Sequence, residues 1–316
     1  MTLLVSIKAM FGLWFALAQA PQAEAGVPLG SPLPPAPQIP LPIGNTIVQI
    51  HEAMMRSTLK IIPNGENTEE VGSAFILIRP CTANPRAYKY ILITANHVLD
   101  DFPGEEALLL YRSSLGDNWI TKPIKIRIRR DGKKLWTNHP TADVAALYIN
   151  ELPTPPLAEG GLPAVPVAIL ADEALFRTIE MGPGDEIFTL GYPLNISSGK
   201  QGDFPFLRSG RIASFPLGPI SSTGGVFYID IKVFGGNSGG PVYLNQLGRF
   251  YGGSIYMDRV TFVVLGMVTQ DVTYKEVSEG MDDTHVRRHS LGIARAVHAQ
   301  FIRETIGRMP RSFGCF

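Results

Sequence analysis

The sequence is poor in cysteine and has no excess of charge of either sign. Its 316 residues include two cysteines, Cys81 and Cys315, which are too few for a disulfide framework and lack metal-ligand spacing. One bridge between them and two unpaired thiols are equally compatible with the sequence. The 28 Lys and Arg residues balance 28 Asp and Glu residues, so nothing suggests a nucleic-acid or acidic-membrane partner.

The N-terminus has an apolar run that is too short for a clear membrane span. Lys8 precedes the run 9–18, and Ala23–Ala25 has the small-x-small pattern of a cleavage site before Gly26. Residues 1–25 are therefore predicted to be a signal peptide. The alternative is that these residues form an uncleaved membrane anchor. Only in that case would the protein associate with a membrane. Either reading predicts an exported protein, periplasmic or secreted.

Proline then separates this segment from the folded part of the chain. Residues 26–44 contain seven prolines, which predicts an extended, semi-rigid linker. The remaining domain, 45–316, is also rich in glycine and proline, and the whole chain has 32 Gly and 26 Pro. That composition favours many short strands and turns over long helices.

The domain shows mainly β patterns. In Ile124–Arg129, apolar and basic residues alternate strictly, which indicates a strand with one buried face. Two runs of about six candidate strands flank a proline-rich connection at 151–166, which favours two small β-barrels, at about 58–150 and 167–292, over one sandwich. The candidate strands are 59–62, 71–79, 88–94, 107–112, 121–130 and 144–149 before the connection, and 186–191, 206–214, 226–233, 241–244, 250–255 and 262–269 after it.

Two helices are predicted at the ends of the domain. Residues 46–57 have the pattern of a short helix. Near the C-terminus, Ile293, Val297 and Phe301 recur at helical spacing, which predicts an amphipathic helix over 293–308 that packs on the β-domain.

A glycine-rich stretch, Gly235–Pro241, places Ser238 between two glycine pairs with strand-like sequence on both sides. Glycine permits backbone conformations that are closed to residues with a Cβ, so such a loop can direct several N–H groups at one point. That arrangement stabilises an oxyanion if the serine is activated as a nucleophile. A plain turn between two strands is the alternative.

Two further residues decide between these readings. His97 ends the apolar strand 91–97, and Asp143 opens another apolar run. Each alone has an ordinary structural interpretation, a hydrogen-bonded core histidine or a strand-start carboxylate. Together with Ser238 they supply a base, an orienting acid and a nucleophile in the order His, Asp, Ser.

The motifs around these residues resemble those of chymotrypsin-fold serine peptidases, whose triad runs in this order. The resembling motifs are Thr94–His97, Asp143–Ala145 and Gly236–Pro241, and the resemblance covers about 58–308. It implies an all-β fold of two packed six-stranded antiparallel β-barrels with a C-terminal helix.

The resemblance also implies roles for the residues. Ser238 would be the nucleophile, His97 the general base and acid, and Asp143 the residue that orients the imidazole. The backbone N–H groups of Gly236 and Ser238 would form the oxyanion hole. The reaction would be endopeptidase cleavage of a protein or peptide substrate, with no cofactor and no metal ion.

Asn237 points to a subgroup, because digestive members of the family carry an aspartate at this position. The chain more closely resembles bacterial trypsin-like and HtrA-type peptidases, which share the sequence of Gly236–Pro241. A PDZ domain of the HtrA type is not expected, since the chain ends soon after the predicted helix.

Specificity is predicted from positions near the nucleophile. By the resemblance, Lys232 lies at the floor of the primary pocket, and residues 266–270 form its wall. Lys232 supplies no acid for cleavage after Lys or Arg. Val233, Met267 and Val268 instead suggest a small or apolar pocket.

Other polar residues receive a plainer interpretation. Asp282, Asp283, His285 and His289 form a cluster, but the neighbouring arginines favour a solvated loop over a metal site. His139 lies four residues before Asp143, yet a second base there would leave His97 without a role. Two alternative functions stay open: a binding or scaffold protein on the same fold, and an esterase that uses the same triad.

Overall fold

The computed structural model describes residues 47–65, 70–81, 88–115, 118–150, 152, 164–199, 201–279 and 284–310. The predicted signal segment 1–25, the linker 26–44 and most of the connection 151–166 lie outside these residues. Cys81 is buried and disulfide-bonded, whereas Cys315 lies outside the described residues. No helix within the described ranges is long and apolar enough to cross a membrane.

The first half of the domain forms an eight-stranded sheet and a separate small hairpin. The sheet strands are β1 (Thr58–Pro63), β2 (Gly72–Pro80), β3 (Tyr88–Thr94), β4 (Glu106–Leu115), β5 (Asn118–Arg127), β8 (Thr137–Asn138), β9 (Ala145–Ile149) and β10 (Val165–Pro166), and the hairpin consists of β6 (Arg129–Arg130) and β7 (Lys133–Lys134). The sheet order is β5-β4-β1-β2-β3-β9-β8, with β10 added beside β2. All pairs are antiparallel except β10 with β2. Six of these strands match the predicted ones, and the short β8 and β10 are additional.

The second half closes into a six-stranded barrel. Its strands are β11 (Glu186–Gly191), β12 (Phe206–Ile212), β13 (Val226–Asp230), β14 (Pro241–Tyr251), β15 (Ser254–Glu279) and β16 (Thr284–His298). They follow the order β11-β12-β13-β16-β15-β14 around the barrel. The all-β, chymotrypsin-type fold with a C-terminal helix is confirmed. The second half is the predicted six-stranded antiparallel barrel, whereas the first half is an eight-stranded sheet because β8 and β10 join the six predicted strands.

Strand lengths in the second half differ from the prediction. The strand expected at 250–255 is a hairpin, because Gly252 and Gly253 both take positive φ and turn the chain between Tyr251 and Ser254. A Gly-Gly pair suits such a tight turn. Strand β15 then runs far beyond the predicted 262–269 and returns as β16.

Within the described ranges, five α-helices accompany the sheets: α1 (Ile47–Ser57), α2 (Asn96–Asp101), α3 (Glu173–Thr178), α4 (Ile220–Thr223) and α5 (Ala299–Arg308). The predicted start of the C-terminal helix at 293 is wrong. Residues 293–298 belong to β16, where Ala294 and Ala296 are buried and pair with β13. The helix begins only after His298, whose Nδ1 accepts a hydrogen bond from the Gln300 N–H as its N-cap.

One hydrophobic core joins the two halves. It contains Leu77 and Ile91 of the first sheet together with Leu190 and Tyr243 of the barrel, and each is 0% exposed. Full burial of a Leu or Ile side chain stabilises the fold by about 1.5–3 kcal/mol. A second core lies within the second half, where Phe176 of the helical segment before β11 packs with Ile229 and other side chains of the barrel. Because the first core is shared, residues from both halves keep fixed positions relative to one another.

Candidate active site

His97 and Asp143 come together through the pairing of β3 with β9. Thr94 at the end of β3 lies opposite Ala145 at the start of β9. His97 follows in the first turn of α2, and Asp143 precedes β9 in the turn after β8. The register of two buried strands thus brings the two side chains to the same end of the sheet.

The pair is held by two hydrogen bonds. His97 Nδ1 lies 2.6 Å from Asp143 Oδ2, and the His97 backbone N–H donates to Asp143 Oδ1 at 3.0 Å. Since an ionised carboxylate only accepts, Nδ1 carries a proton, and in the neutral imidazole Nε2 is left as an acceptor. The carboxylate therefore fixes the tautomer that a general base requires.

The pKa values of the pair shift in opposite directions. The hydrogen bond to Asp143 raises the pKa of His97 above its usual value, against the lowering effect of burial. Burial alone would raise the pKa of Asp143, but the hydrogen bonds and positive charge of His97 outweigh burial and lower it. Asp143 consequently stays ionised and favours the imidazolium form of His97.

A second histidine holds the turn that carries Asp143. His139 Nδ1 accepts hydrogen bonds from the backbone N–H groups of Thr141, at 3.3 Å, and Ala142, at 3.0 Å. Its Nε2 lies 3.1 Å from Glu304 Oε2 on α5. With both ring nitrogens engaged, His139 is an anchor between this turn and the C-terminal helix.

The loop of Ser238 lies between β13 and β14 and has tight backbone packing. Gly236 and Gly239 have φ values of +92° and +90°. A Cβ at Gly236 would overlap the carbonyl oxygen of Tyr192, and one at Gly239 would overlap that of Ser73. Both positions therefore require glycine for conformation and for space.

Ser73 of β2 ties this loop to the first half of the domain. Its backbone N–H donates to the Ser238 carbonyl at 2.9 Å, and its hydroxyl donates to the Gly236 carbonyl at 2.7 Å. The same hydroxyl accepts from the Tyr192 N–H at 3.2 Å. The sequence gives only a weak signal for this role, a small polar residue at the start of an apolar strand.

Asn237 is buried and uncharged, and its Nδ2 donates to the Phe234 carbonyl at 3.1 Å. The Asn237 N–H also donates to the Phe234 carbonyl, at 3.1 Å, so the loop is closed by hydrogen bonds within itself. The backbone N–H groups of Gly236 and Ser238 have no acceptor among the described residues. The prediction that these two N–H groups form an oxyanion hole requires donors of this kind, which are not engaged elsewhere.

The hydroxyl of Ser238 donates to the Thr269 carbonyl at 3.3 Å. Within the described part of the chain it makes no hydrogen bond to His97. Catalytic hydrogen bonds are often long or poorly aligned without substrate, so this rotamer leaves the assignment of His97 open.

The residues predicted for the specificity pocket take two kinds of position. Lys232 is exposed, and its Nζ lies 5.3 Å from the ring centroid of Phe234. Val233, Met267 and Val268 are at most 1% exposed and belong to the two hydrophobic cores. The pocket assignment stays a prediction.

The acidic and histidine cluster is only partly described. Asp282 and Asp283 lie outside the described residues, and His289 Nε2 is 2.9 Å from Glu276 Oε2 across the β15–β16 hairpin. No group of three or more possible metal ligands occurs among the residues with described placement.

Comparisons with known proteins give a family match and several structural neighbours. A family model described as a trypsin-like peptidase domain matches residues 72–252. A serine endoprotease from Yersinia pestis is 15% identical with a TM-score of 0.47, over 85% of this chain and 68% of that chain. The thermostable serine protease AL20 from an extremophilic microorganism is 14% identical with a TM-score of 0.41, over 80% and 96%. Human heparin binding protein is 10% identical with a TM-score of 0.44, over 81% and 91%. No curated protein sequence matches the chain.

Proposed function

Because this chain belongs to the family of trypsin-like peptidase domains, whose model matches more than half of it, we propose that it is an exported serine endopeptidase with the triad Ser238, His97 and Asp143. The observation that carries the triad is the His97–Asp143 pair, with Nδ1 and Oδ2 2.6 Å apart. In the neutral imidazole this pair keeps the proton on Nδ1 and leaves Nε2 unprotonated, which is the state that a general base needs. The narrower HtrA-type assignment stays a prediction.

The proposed reaction begins when substrate binds and Ser238 turns from the Thr269 carbonyl to His97 Nε2. Oγ attacks the scissile carbonyl carbon while Nε2 takes the hydroxyl proton. The carbonyl oxygen becomes an oxyanion, and the N–H groups of Gly236 and Ser238 donate to it. Neither donor is engaged elsewhere in the described residues, so neither has to break a hydrogen bond there when the oxyanion forms.

The tetrahedral intermediate then collapses to an acyl-enzyme. The C–N bond breaks, and imidazolium His97 gives its proton to the leaving amine. Water repeats the sequence: His97 takes a proton from it, the hydroxide adds to the ester carbon, and Ser238 leaves as the protonated hydroxyl. Asp143 stabilises the imidazolium through both halves of the reaction, in keeping with its lowered pKa.

Export is supported by the N-terminal sequence. The apolar run 9–18 and the pattern Ala23–Ala25 are typical of a secretory signal. N-terminal sequencing of protein recovered from the native host checks this part: a start at Gly26 is expected, and an intact Met1 in a cytosolic fraction would contradict it.

Hydrolysis of a peptide library by the wild type and by Ser238→Ala tests the reaction. We expect peptide cleavage by the wild type and none by the variant. An esterase would hydrolyse simple esters and leave every peptide intact. A binding protein on the same fold, which the present rotamer of Ser238 would suit, would bind peptides and cleave neither class.

A further inference from the structure

The turn that carries Asp143 is closed by one residue from both directions. The His139 ring accepts from the Ala142 N–H at 3.0 Å, and the His139 backbone N–H donates to the Val144 carbonyl at 3.0 Å. Both immediate neighbours of Asp143 are therefore bonded to the same residue. Since His97 Nδ1 and Asp143 Oδ2 are 2.6 Å apart, a shift of this turn would change the contact on which the proposed general base depends.

The hydrogen bonds also determine which ring nitrogen of His139 carries the proton. Nδ1 accepts from two backbone N–H groups, those of Thr141 and Ala142, so its lone pair is in use and the proton lies on Nε2. That nitrogen is 3.1 Å from Glu304 Oε2 and donates to it. The ring thereby connects the turn to helix α5.

The packing of the His139 ring also depends on α5. The side chain is 3% exposed, and its ring centroid lies 4.6 Å from that of Phe301 on α5. Phe301 belongs to the core that the two halves share. Helix α5 packs beside β8 and β9, the strands before and after the turn. Because protein interiors are close-packed, the ring keeps this position only while α5 stays in place.

Glu304 is held in its ionised form. Partial burial would raise the pKa of its carboxyl, but hydrogen bonds from Gln300 and His139 outweigh burial and lower the pKa. Gln300 Nε2 donates to Glu304 Oε1 at 2.9 Å, and Gln300 Oε1 accepts from the Glu173 N–H of α3 at 3.1 Å. The Glu304 side chain is 38% exposed, so a continuous chain of hydrogen bonds runs from the surface and α3 to the turn.

We propose that His139 is a positioning residue of the triad and that Glu304, acting through it, makes the contact between Asp143 and His97 depend on the C-terminal helix. This inference rests on the proposed function, since it concerns the regulation of the same site. A carboxylate displaced from His97 holds the tautomer less well and stabilises the imidazolium less. Loss of the Glu304 carboxylate, or a displacement of α5, should therefore slow proton transfer and leave substrate binding in place.

Kinetics of two alanine variants test the proposal. A catalytic group misplaced by about 1 Å can lose about 10²-fold in rate. We expect kcat to fall about tenfold in Glu304→Ala, which loses only the link to α5, and about 10²-fold in His139→Ala, which also loses the acceptor for the turn. KM should stay near the wild-type value. A wild-type kcat in both variants would overturn the proposal and leave the proposed function intact.

Arg303→Ala is the matched control for Glu304→Ala. Arg303 lies on the same helix, its side chain is 43% exposed, and its Nη1 donates to the Leu170 carbonyl at 3.0 Å. The control therefore also loses a hydrogen bond of α5, but not the link to the turn, and its kcat should stay near the wild-type value. Equal losses in the two variants would show a general effect of the helix and refute the specific role of Glu304.

His139→Asn separates the two roles of the histidine. An Asn side chain can accept from the backbone N–H two residues on, so this variant should keep the turn and lose the link to Glu304. Its kcat should match that of Glu304→Ala, and the double variant should lose no more than either single variant. Additive losses would show that the two residues act separately and would refute the shared path. If His139→Ala fails to fold, Glu304→Ala and His139→Asn decide the test.

A measurement without turnover separates this proposal from the proposed function. In Ser238→Ala, NMR can follow protonation of the His97 ring as the pH changes. The hydrogen bond to Asp143 raises the pKa of His97, with smaller contributions from two aspartates of α2. A weakened contact should therefore move the midpoint to lower pH, by about half a pH unit when Glu304→Ala is added. Such a shift would support the proposal even if the wild type cleaved no peptide, and an unmoved midpoint would refute it.

Discussion

The two sides of the candidate site are held by different means. On the side of the first sheet, side chains hold the site. Asp143 accepts hydrogen bonds from the backbone N–H and from Nδ1 of His97, and His139 anchors the turn that carries Asp143. On the side of the barrel, the backbone conformation holds the site, because Gly236 and Gly239 have positive φ values and leave no space for a Cβ. Ser73 connects the two sides by hydrogen bonds to the nucleophile loop.

This difference separates two chemical tasks. Proton transfer needs a titratable group with a controlled tautomer, which only a side chain supplies. Stabilisation of an oxyanion needs fixed dipoles, which backbone N–H groups supply with little reorganisation. Substitutions on the first side should therefore change proton transfer, and substitutions on the second should change the geometry of the loop.

The largest effect is expected for Asp143→Asn. The amide keeps the shape of the carboxylate but no longer fixes the His97 tautomer or stabilises the imidazolium. We expect kcat to fall by about 10⁴-fold with the fold intact. Steady-state peptide hydrolysis measures the rate, and circular dichroism checks the fold. Near-normal turnover would remove Asp143 from the proposed triad.

A smaller loss is expected for Gly236→Ala on the barrel side. A Cβ there would overlap the Tyr192 carbonyl and oppose the positive φ, so the oxyanion donor at this position should be displaced. The expected loss in kcat is about 10²–10³-fold. Gly235→Ala is the matched control, since a Cβ there meets nothing within 4 Å. Equal losses in both variants would contradict a special role for Gly236.

The smallest effect is a shift in the pH profile. His97 must be neutral to accept the Ser238 proton, so kcat/KM should rise with pH as His97 loses its charge. Because Asp143 raises the pKa of His97, the midpoint should lie above the ordinary histidine value of about 6.5. In Asp143→Asn the midpoint should move to lower pH. A midpoint unmoved by that substitution would show that Asp143 does not act on His97.

Much of the fold could be predicted from local patterns. The six principal strands of the first half and the helix α1 follow from alternation and apolar runs. The true start of the C-terminal helix could not be predicted in this way. Ile293, Val297 and Phe301 fit a helical period, but the segment 293–298 is part of β16, which pairs with β13. Pairing with a strand distant in the sequence therefore decided the structure of this segment, against the helical spacing of its apolar residues.

For the site, the order of the motifs along the chain is enough to predict that His97, Asp143 and Ser238 act together. The contacts that support these residues were not predictable. His139 and Glu304 are far apart in the sequence and meet only because α5 packs beside the turn before β9. The hydrogen bonds of Ser73 likewise depend on how the two halves pack. Such contacts leave no periodic or compositional signal.

The central claim is that the two sides form one acyl-transfer site around Ser238. The most direct test is labelling with a fluorophosphonate probe, followed by mass spectrometry of the labelled peptide. We predict that the probe modifies Ser238 in the wild type and that labelling disappears in Ser238→Ala and falls sharply in His97→Ala. Well-folded wild-type protein that takes up no label, or a label on another residue, would contradict the account.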